Sequence, residues 1–413
     1  MKLKFVSLCC LMGLASTVFA QSLPNGYTTV LPVKGLTQEA VTNAIVTGTG
    51  TGTGLPMWTY SVTADASLGG GTYTGAILGR NPALKAKTTT DINLYVIPLK
   101  ITITDTTHGA VVYDPTVADT CYSGSPTDVA LVENSPMFLT NLYDGAGGAG
   151  HAPMMNGVDV TQGVPAQYID AYIRANFWSL VQGTHYHLNF LVTTLPTQTL
   201  SFTYSGQANY VGGTDYTGCG QIGVVDITDY DNAIQTLLKG LGSVSPAIFP
   251  MLLTHSVVNG IPGHNLFANC CALGYHSAYS SGPLLQVYSP FSVSQPFGDI
   301  STISHEVAEA VMDPTTNNGT PAWGAEGQVT AGNCQSNLEV GDPLSPGWGT
   351  PTNPFTITQS GFTYTLQELA FFDWYFGKAP TGLGSSPMGV GGGYSDHGTF
   401  TGFAKACPPG GTH

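Results

Sequence analysis

The segment INLYVIPLKITIT (92–104) sets the strongest limit on the fold of this chain. It is long, apolar and rich in Ile, Val and Thr, whose branched side chains suit a pleated, packed surface, so it reads as a strand. THYHLNFLVTTL (184–195), IFPMLLTHSVV (248–258) and LLQVYSPFSV (284–293) carry the same signal. Helical spacing appears in PAQYIDAYIRANFWSLV (165–181), with Pro at its first turn, and in ITDYDNAIQTLLKGLG (227–242). Asp starts the latter and Gly stops it; helix capping accounts for the acids Asp226, Asp229 and Asp231. Strands and helices together imply an α+β protein built on a mixed sheet. The 53 Gly and 27 Pro imply many turns and argue against a helical bundle.

Charge narrows the function. Acidic residues number 25 against 11 basic ones, and the only arginines are Arg80 and Arg174. Such a chain cannot neutralise a phosphate backbone or an anionic membrane, so nucleic acid is excluded as a partner. No stretch is long and apolar enough to span a bilayer. Nucleotide-binding glycine motifs, a GxSxG elbow and 20–50-residue repeats are all absent from the sequence.

Residues 1–20 read as an export signal: Lys2 and Lys4, an apolar run from Phe5 to Leu14, and a small-x-small site ending at Ala20. The expected location is therefore secreted, extracellular or periplasmic. Six cysteines remain after cleavage, Cys121, Cys219, Cys270, Cys271, Cys334 and Cys407, and in an oxidising compartment they are disulfide candidates. Residues 21–90 form a Gly/Thr-rich extension of loops and short strands. Residues 91–345 form the main domain, and 346–413 a Gly-rich C-terminal region.

The chemistry concentrates in GDISTISHEVAEAVMDP (298–314). Asp299 or Ser301 caps the start of this helix and Pro314 stops it. Ile300, Ile303, Val307, Ala310 and Val311 fall on one arc; His305, Glu306, Glu309 and Asp313 fall on the other. His305 and Glu309, four residues apart, stand one above the other and suit two ligands of one metal. Glu306 projects beside them, where a carboxylate can take a proton from a metal-activated water. Downstream, SNLEVGDPL (336–344) brings Glu339 and Asp342, and with them a third carboxylate ligand.

HEVAE resembles the HExxH helix of zincin metallopeptidases, in an HExxE variant, and Glu339-x-x-Asp342 resembles the second motif of gluzincins. A closer likeness is to a family of secreted bacterial proteins with the pattern SHEVAE…DP…N…PAWG…GQV…CQ…NLEVGDPL, to which NCCALGYHSAY (269–279) belongs. Plant phosphate-induced wall proteins are more distantly similar. The resemblance implies a zincin-like domain with an active-site helix, the strand at 284–293 lying beside the substrate cleft. It implies His305, Glu309 and Glu339 as ligands of Zn2+ or another divalent cation, with Glu306 as general base. Asp342 and Asp313 would accept hydrogen bonds that orient the ligands. His397 is the candidate donor to the transition state.

The remaining histidines carry weaker signals. His185-x-His187 on a strand would share one face, though a groove-lining role explains them as well. His264 and His276 read as structural, and turn chemistry explains DPTTNNG (313–319) better than calcium. Two functions follow as expectations, ahead of a third, a calcium-stabilised β-rich module without a transition metal. One is a zinc-dependent peptidase-like protein acting on a peptide or protein substrate. The other is a non-catalytic protein with a structural metal that binds an extracellular polymer.

Overall fold

A computed structural model describes residues 42, 53–84, 89–119, 126–139, 159–206, 208–214, 220–260, 272–293, 299–325, 334–344, 355–367, 369–379, 394 and 404–407. The expected export signal (1–20), Cys121, Cys219, Cys270, Cys271, His264 and His397 lie outside them.

The chain is a mixed α/β structure whose axis is one long strand. In order come β1 (Met57–Thr63), β2 (Thr72–Leu78), β3 (Thr89–Asp105), β4 (Gly109–Tyr113), α1 (Asp128–Glu133), α2 (Tyr168–Asn176), α3 (Trp178–Val181), β5 (His187–Thr194) and β6 (Gln198–Thr203). Next are β7 (Tyr210–Thr214), β8 (Gln221–Asp226), α4 (Ile227–Gly240), β9 (Ile248–His255), β10 (Val257–Gly260), β11 (Ser277–Ser281) and β12 (Leu284–Val293). The last part holds α5 (Ser301–Met312), β13 (Gly319–Ala325), β14 (Gln335–Asn337), β15 (Phe355–Gln359), β16 (Phe362–Leu366), α6 (Phe372–Tyr375) and β17 (Ala404–Ala406).

β3 contains the segment 92–104, and its burial changes phase midway. Ile92, Leu94 and Val96 enter one core; Ile97, Leu99, Ile101 and Ile103 enter another on the opposite face. Successive side chains alternate across a strand, so the adjacent pair Val96-Ile97 is where the strand passes from one core to the other. Its first half pairs in parallel with β5 and β9, and its second half with β6 and, antiparallel, β4. β12 extends the sheet in parallel beyond β9, and β11 closes that edge antiparallel.

α4 covers one face. Asp226 caps it, accepting from the N–H groups of Thr228 (2.7 Å) and Asp229 (3.0 Å). α2 and α5 pack on the other face with β1, β2, β15, β16 and α6, in one core running from Leu55 to Phe376. Asn318, just beyond α5, fixes β2 to this layer: Ala76 N donates to its Oδ1 (2.9 Å) and its Nδ2 donates to Ala76 O (2.7 Å). A disulfide joins Cys334, beside β14, to Cys407, beside β17.

Candidate metal centre

α5 spans the middle of the predicted helix, and Asp299 does not cap it in the usual way. Its carboxylate bonds the adjacent Ile300 N and also Thr365 N (3.0 Å), so it ties the helix start to β16. Pro314 follows the stop at Met312 as expected. The apolar arc packs into the core, but the polar arc is buried too: no residue of α5 is exposed. Around that polar arc the fold gathers His276, Glu339, Asp342 and Gln367, so both arcs have partners.

His305 is held on its Nδ1 side by Gln367 Oε1 at 3.0 Å. The amide is oriented because Gln367 Nε2 donates to Gly341 O (2.7 Å) while Gln367 N donates to Ser304 Oγ (2.9 Å). Nδ1 therefore carries a proton, and Nε2, the nitrogen left for a metal, faces Glu309 Oε1 (3.0 Å) and Asp342 Oδ1 (3.5 Å). Gly341 is pressed flat on the ring. A Cβ there would stand 2.4 Å from His305 Nδ1, and Gly341 N donates to Glu309 Oε1 at 2.9 Å.

Glu309 faces two ways. While Oε1 looks toward His305, Oε2 lies 3.6 Å from Nδ1 of His276. The same Nδ1 is 3.7 Å from Glu306 Oε2 and 3.9 Å from Glu339 Oε2. His276 reaches the cluster because alternation along its segment sends Tyr275 and Tyr279 into the α4 core and His276 with Ala278 to the α5 side. Its Nε2 is 3.0 Å from Asp313 O.

Two groups of donors thus form, each able to hold a metal ion: His305, Glu309 and Asp342, and, deeper, His276, Glu306 and Glu309. The donor chemistry fits a divalent cation. His305 Nε2, Glu306 Oε2 and Glu309 Oε2 are buried without a hydrogen-bond partner, an arrangement that is costly unless a cation completes it. Among the described residues, the ion pairs of these carboxylates are all with the two imidazoles.

Without a cation the cluster holds protons instead. Burial, with the Glu309 charge beside it, pushes the Asp342 carboxyl up to about 7 and Glu339 well above the ordinary carboxylate range. Burial also raises Glu306, and it raises Asp313 to about 6. On His305, burial opposes the charge, but the Glu309 carboxylate outweighs it and the imidazole rises well above its usual value. Glu309 itself is held below the carboxylate range against its burial, by His305.

The motif residues are thus brought together but not as the motif implies. His305 has Glu309 and Asp342 as its nearest carboxylates, whereas Glu339 faces His276, with its Oε1 taken by Asn337 Nδ2 (2.6 Å). Glu306 falls among the deeper donors instead of beside the outer ones. Asp313 closes a turn, accepting from Asn317 N (2.9 Å) and Asn318 N (3.0 Å). The His185–His187 pair is split: His185 is exposed, while His187 is buried on Asp170 at 2.8 Å.

Sequence reasoning treated His276 as structural and gave Gln367 no role. The available signal for His276 was its place in NCCALGYHSAY (269–279); Gln367 had none. Compared with protein-family models, curated proteins and solved structures, the chain matches none.

Proposed function

We propose that this chain is an exported hydrolase of peptide bonds, dependent on a divalent cation held by His305 Nε2, Glu309 Oε1 and Asp342 Oδ1, within a zincin-like α+β domain. The observation that carries the reading is the locked imidazole: Gln367 fixes its tautomer so that Nε2 can only face the two carboxylates. Asp342 gives the site its open side, with 23% of its side chain exposed against 1% for Glu309. Catalytic metal sites keep such a position free for substrate and water, whereas structural ones are closed.

A cation held there supplies a Lewis acid for the scissile carbonyl and makes water a better nucleophile near neutral pH. The chain's own residues orient and enclose. Gly341 permits the close approach of backbone to imidazole, and its N–H holds Glu309 in register. Substrate enters past Asp342; water adds to the acyl carbon, the C–N bond breaks and the amine leaves with a proton. The proton-acceptor role implied for Glu306 fits poorly, because its free oxygen lies on the Oε2 side of Glu309. The Cys334–Cys407 disulfide supports export to an oxidising compartment.

A shell of one imidazole and two carboxylates selects zinc less sharply than a two-histidine shell, so manganese is a realistic competitor. The test is cleavage of casein and of a quenched peptide library by the metal-loaded protein. Chelation should abolish cleavage, and His305→Ala should lower the bound metal as well. Loaded protein that cleaves nothing overturns the reading. A second reading, a non-catalytic wall or polymer-binding protein with a structural metal, is favoured by one observation: the complete burial of α5.

A further inference from the structure

We propose that a second divalent cation binds deeper in the same cluster, on His276 Nδ1, Glu306 Oε2, Glu309 Oε2 and Glu339 Oε2, with Glu309 bridging the two ions through its two oxygens. The inner site stands on its own geometry; only the bridge rests on the function proposed above.

His276 supplies the first argument. Its Nε2 lies 3.0 Å from the backbone carbonyl of Asp313, which can only accept, so Nε2 carries the proton. In the neutral ring Nδ1 is then a lone pair, yet it faces three carboxylate oxygens at 3.6, 3.7 and 3.9 Å. A proton on Nδ1 would draw one oxygen to hydrogen-bond distance, about 2.7–3.2 Å, and leave the others behind. Near-equal spacing just beyond that range belongs to donors around a shared centre. Tetrahedral bonds of 2.0–2.2 Å place ligand atoms about 3.3–3.6 Å apart.

The second argument is the state of the oxygens. Glu306 is 4% exposed and Glu309 0%, and the Oε2 of each has no hydrogen-bond partner. Glu339 differs informatively: Asn337 occupies its Oε1, leaving Oε2 as the atom turned to His276. Gly274 completes the construction, since a Cβ there would meet Glu306 Cγ at 2.8 Å and push that side chain off the cluster.

Charge supplies the third. The two donor groups hold the carboxylates of Glu306, Glu309 and Asp342, and Glu339 beside His276 adds a fourth, a formal charge of −4 when all are ionised. Two divalent cations cancel it; one leaves two negative charges buried with neutral imidazoles, which low-dielectric surroundings disfavour. The inner ion is closed off from solvent and the outer one open, so the inner ion serves to hold the α5 carboxylates and the outer one meets substrate. A mixed imidazole–carboxylate shell takes zinc or manganese.

The experiment loads the purified full chain with Mn2+ after stripping, then counts metal by mass spectrometry and records its electron paramagnetic resonance. Two ions per chain are expected, with the exchange-coupled spectrum of a bridged pair. His276→Ala and, with volume conserved, Glu306→Gln should each fall to one ion and show the spectrum of isolated manganese. His305→Ala should also retain one ion. A single ion in the natural protein, unchanged by Glu306→Gln, overturns the proposal. If His276→Ala fails to fold, the natural protein's stoichiometry and spectrum still decide. Two bound ions without peptide cleavage would leave this inference standing and defeat the hydrolase reading; one ion with cleavage would do the reverse.

Discussion

His305 and Gln367 come from segments far apart in the sequence, and the 3.0 Å contact between Nδ1 and Oε1 decides what the histidine can do. An imidazole free to turn, or protonated on the wrong nitrogen, would offer no lone pair to a cation held by the carboxylates. Gln367 removes both freedoms because its own amide is fixed at each end, by Gly341 O and by the histidine.

Gln367→Ala should therefore weaken metal binding although it removes no ligand. Loss of such an orienting partner costs about 10–100-fold in affinity. Competition against a chromophoric chelator measures it. Unchanged affinity would mean that packing alone orients His305.

Gly341→Ala should be worse than its single methyl suggests. The added Cβ would lie 2.4–2.6 Å from three atoms of the His305 ring, and neither the ring nor the backbone can yield cheaply. Overpacking of this kind costs about 1–3 kcal/mol. Thermal melting should show the loss, with metal content reduced in parallel because the ring must tilt away from Glu309. Normal melting with full metal content would show that the loop moves freely.

Much of the framework was legible, and the reasons are physical. The strand at 284–293 was placed residue for residue because it is a short apolar run between explicit turn signals, and the helix at 227–242 nearly so because it carries a helical period between an Asp cap and a Gly stop. The His305–Glu309 register needed only the helical repeat. What could not be read was anything contributed by tertiary closure. His276 stands alone in its segment, and Gln367 lies in a C-terminal region whose sequence carries no chemical motif. Glu309 reads in sequence as one ligand, and only the fold shows an imidazole on each side of it.

The metal-free protein should lose stability as pH rises. Glu306, Asp313, Glu339 and Asp342 all have raised carboxyls, so above their ordinary values the native state binds more protons than the unfolded chain. Stability then falls between about pH 4 and 7. His305 and His276, also raised, add stability that is full below 6.5 and lost as pH climbs through their native values, which is the same direction. Glu309, held low, acts oppositely only on the acid side of 4.5. Melting curves in chelator should slope down from acid to neutral pH, and saturating Zn2+ should flatten them, since cations replace the protons. A metal-free protein most stable at pH 8 would contradict this.

Asn318→Leu should loosen β2 from the site layer. The substitution leaves the buried Ala76 N–H and C=O, and Met312 O, without the amide that serves all three. An abandoned buried polar group costs about 1–3 kcal/mol. Hydrogen exchange should show lost protection at Ala76 before the β3–β9 pairing is affected. Unchanged exchange would mean that the β1–β2 pairing alone holds the strand.

Glu309→His would create an HExxH sequence, and the geometry implies that it harms the site. A carboxylate presents Oε1 to His305 and Oε2 to His276, whereas an imidazole has one lone pair and cannot face both. It also strips Gly341 N–H of its acceptor, at about 1–3 kcal/mol for a buried donor. The variant should hold less metal than the natural protein, melt lower and cleave no faster. Counting bound Zn2+ alongside peptide hydrolysis separates the alternatives. Tighter zinc and faster cleavage would show that the outer donors work as an independent single-metal site, and that the two-faced geometry of Glu309 has no part in binding.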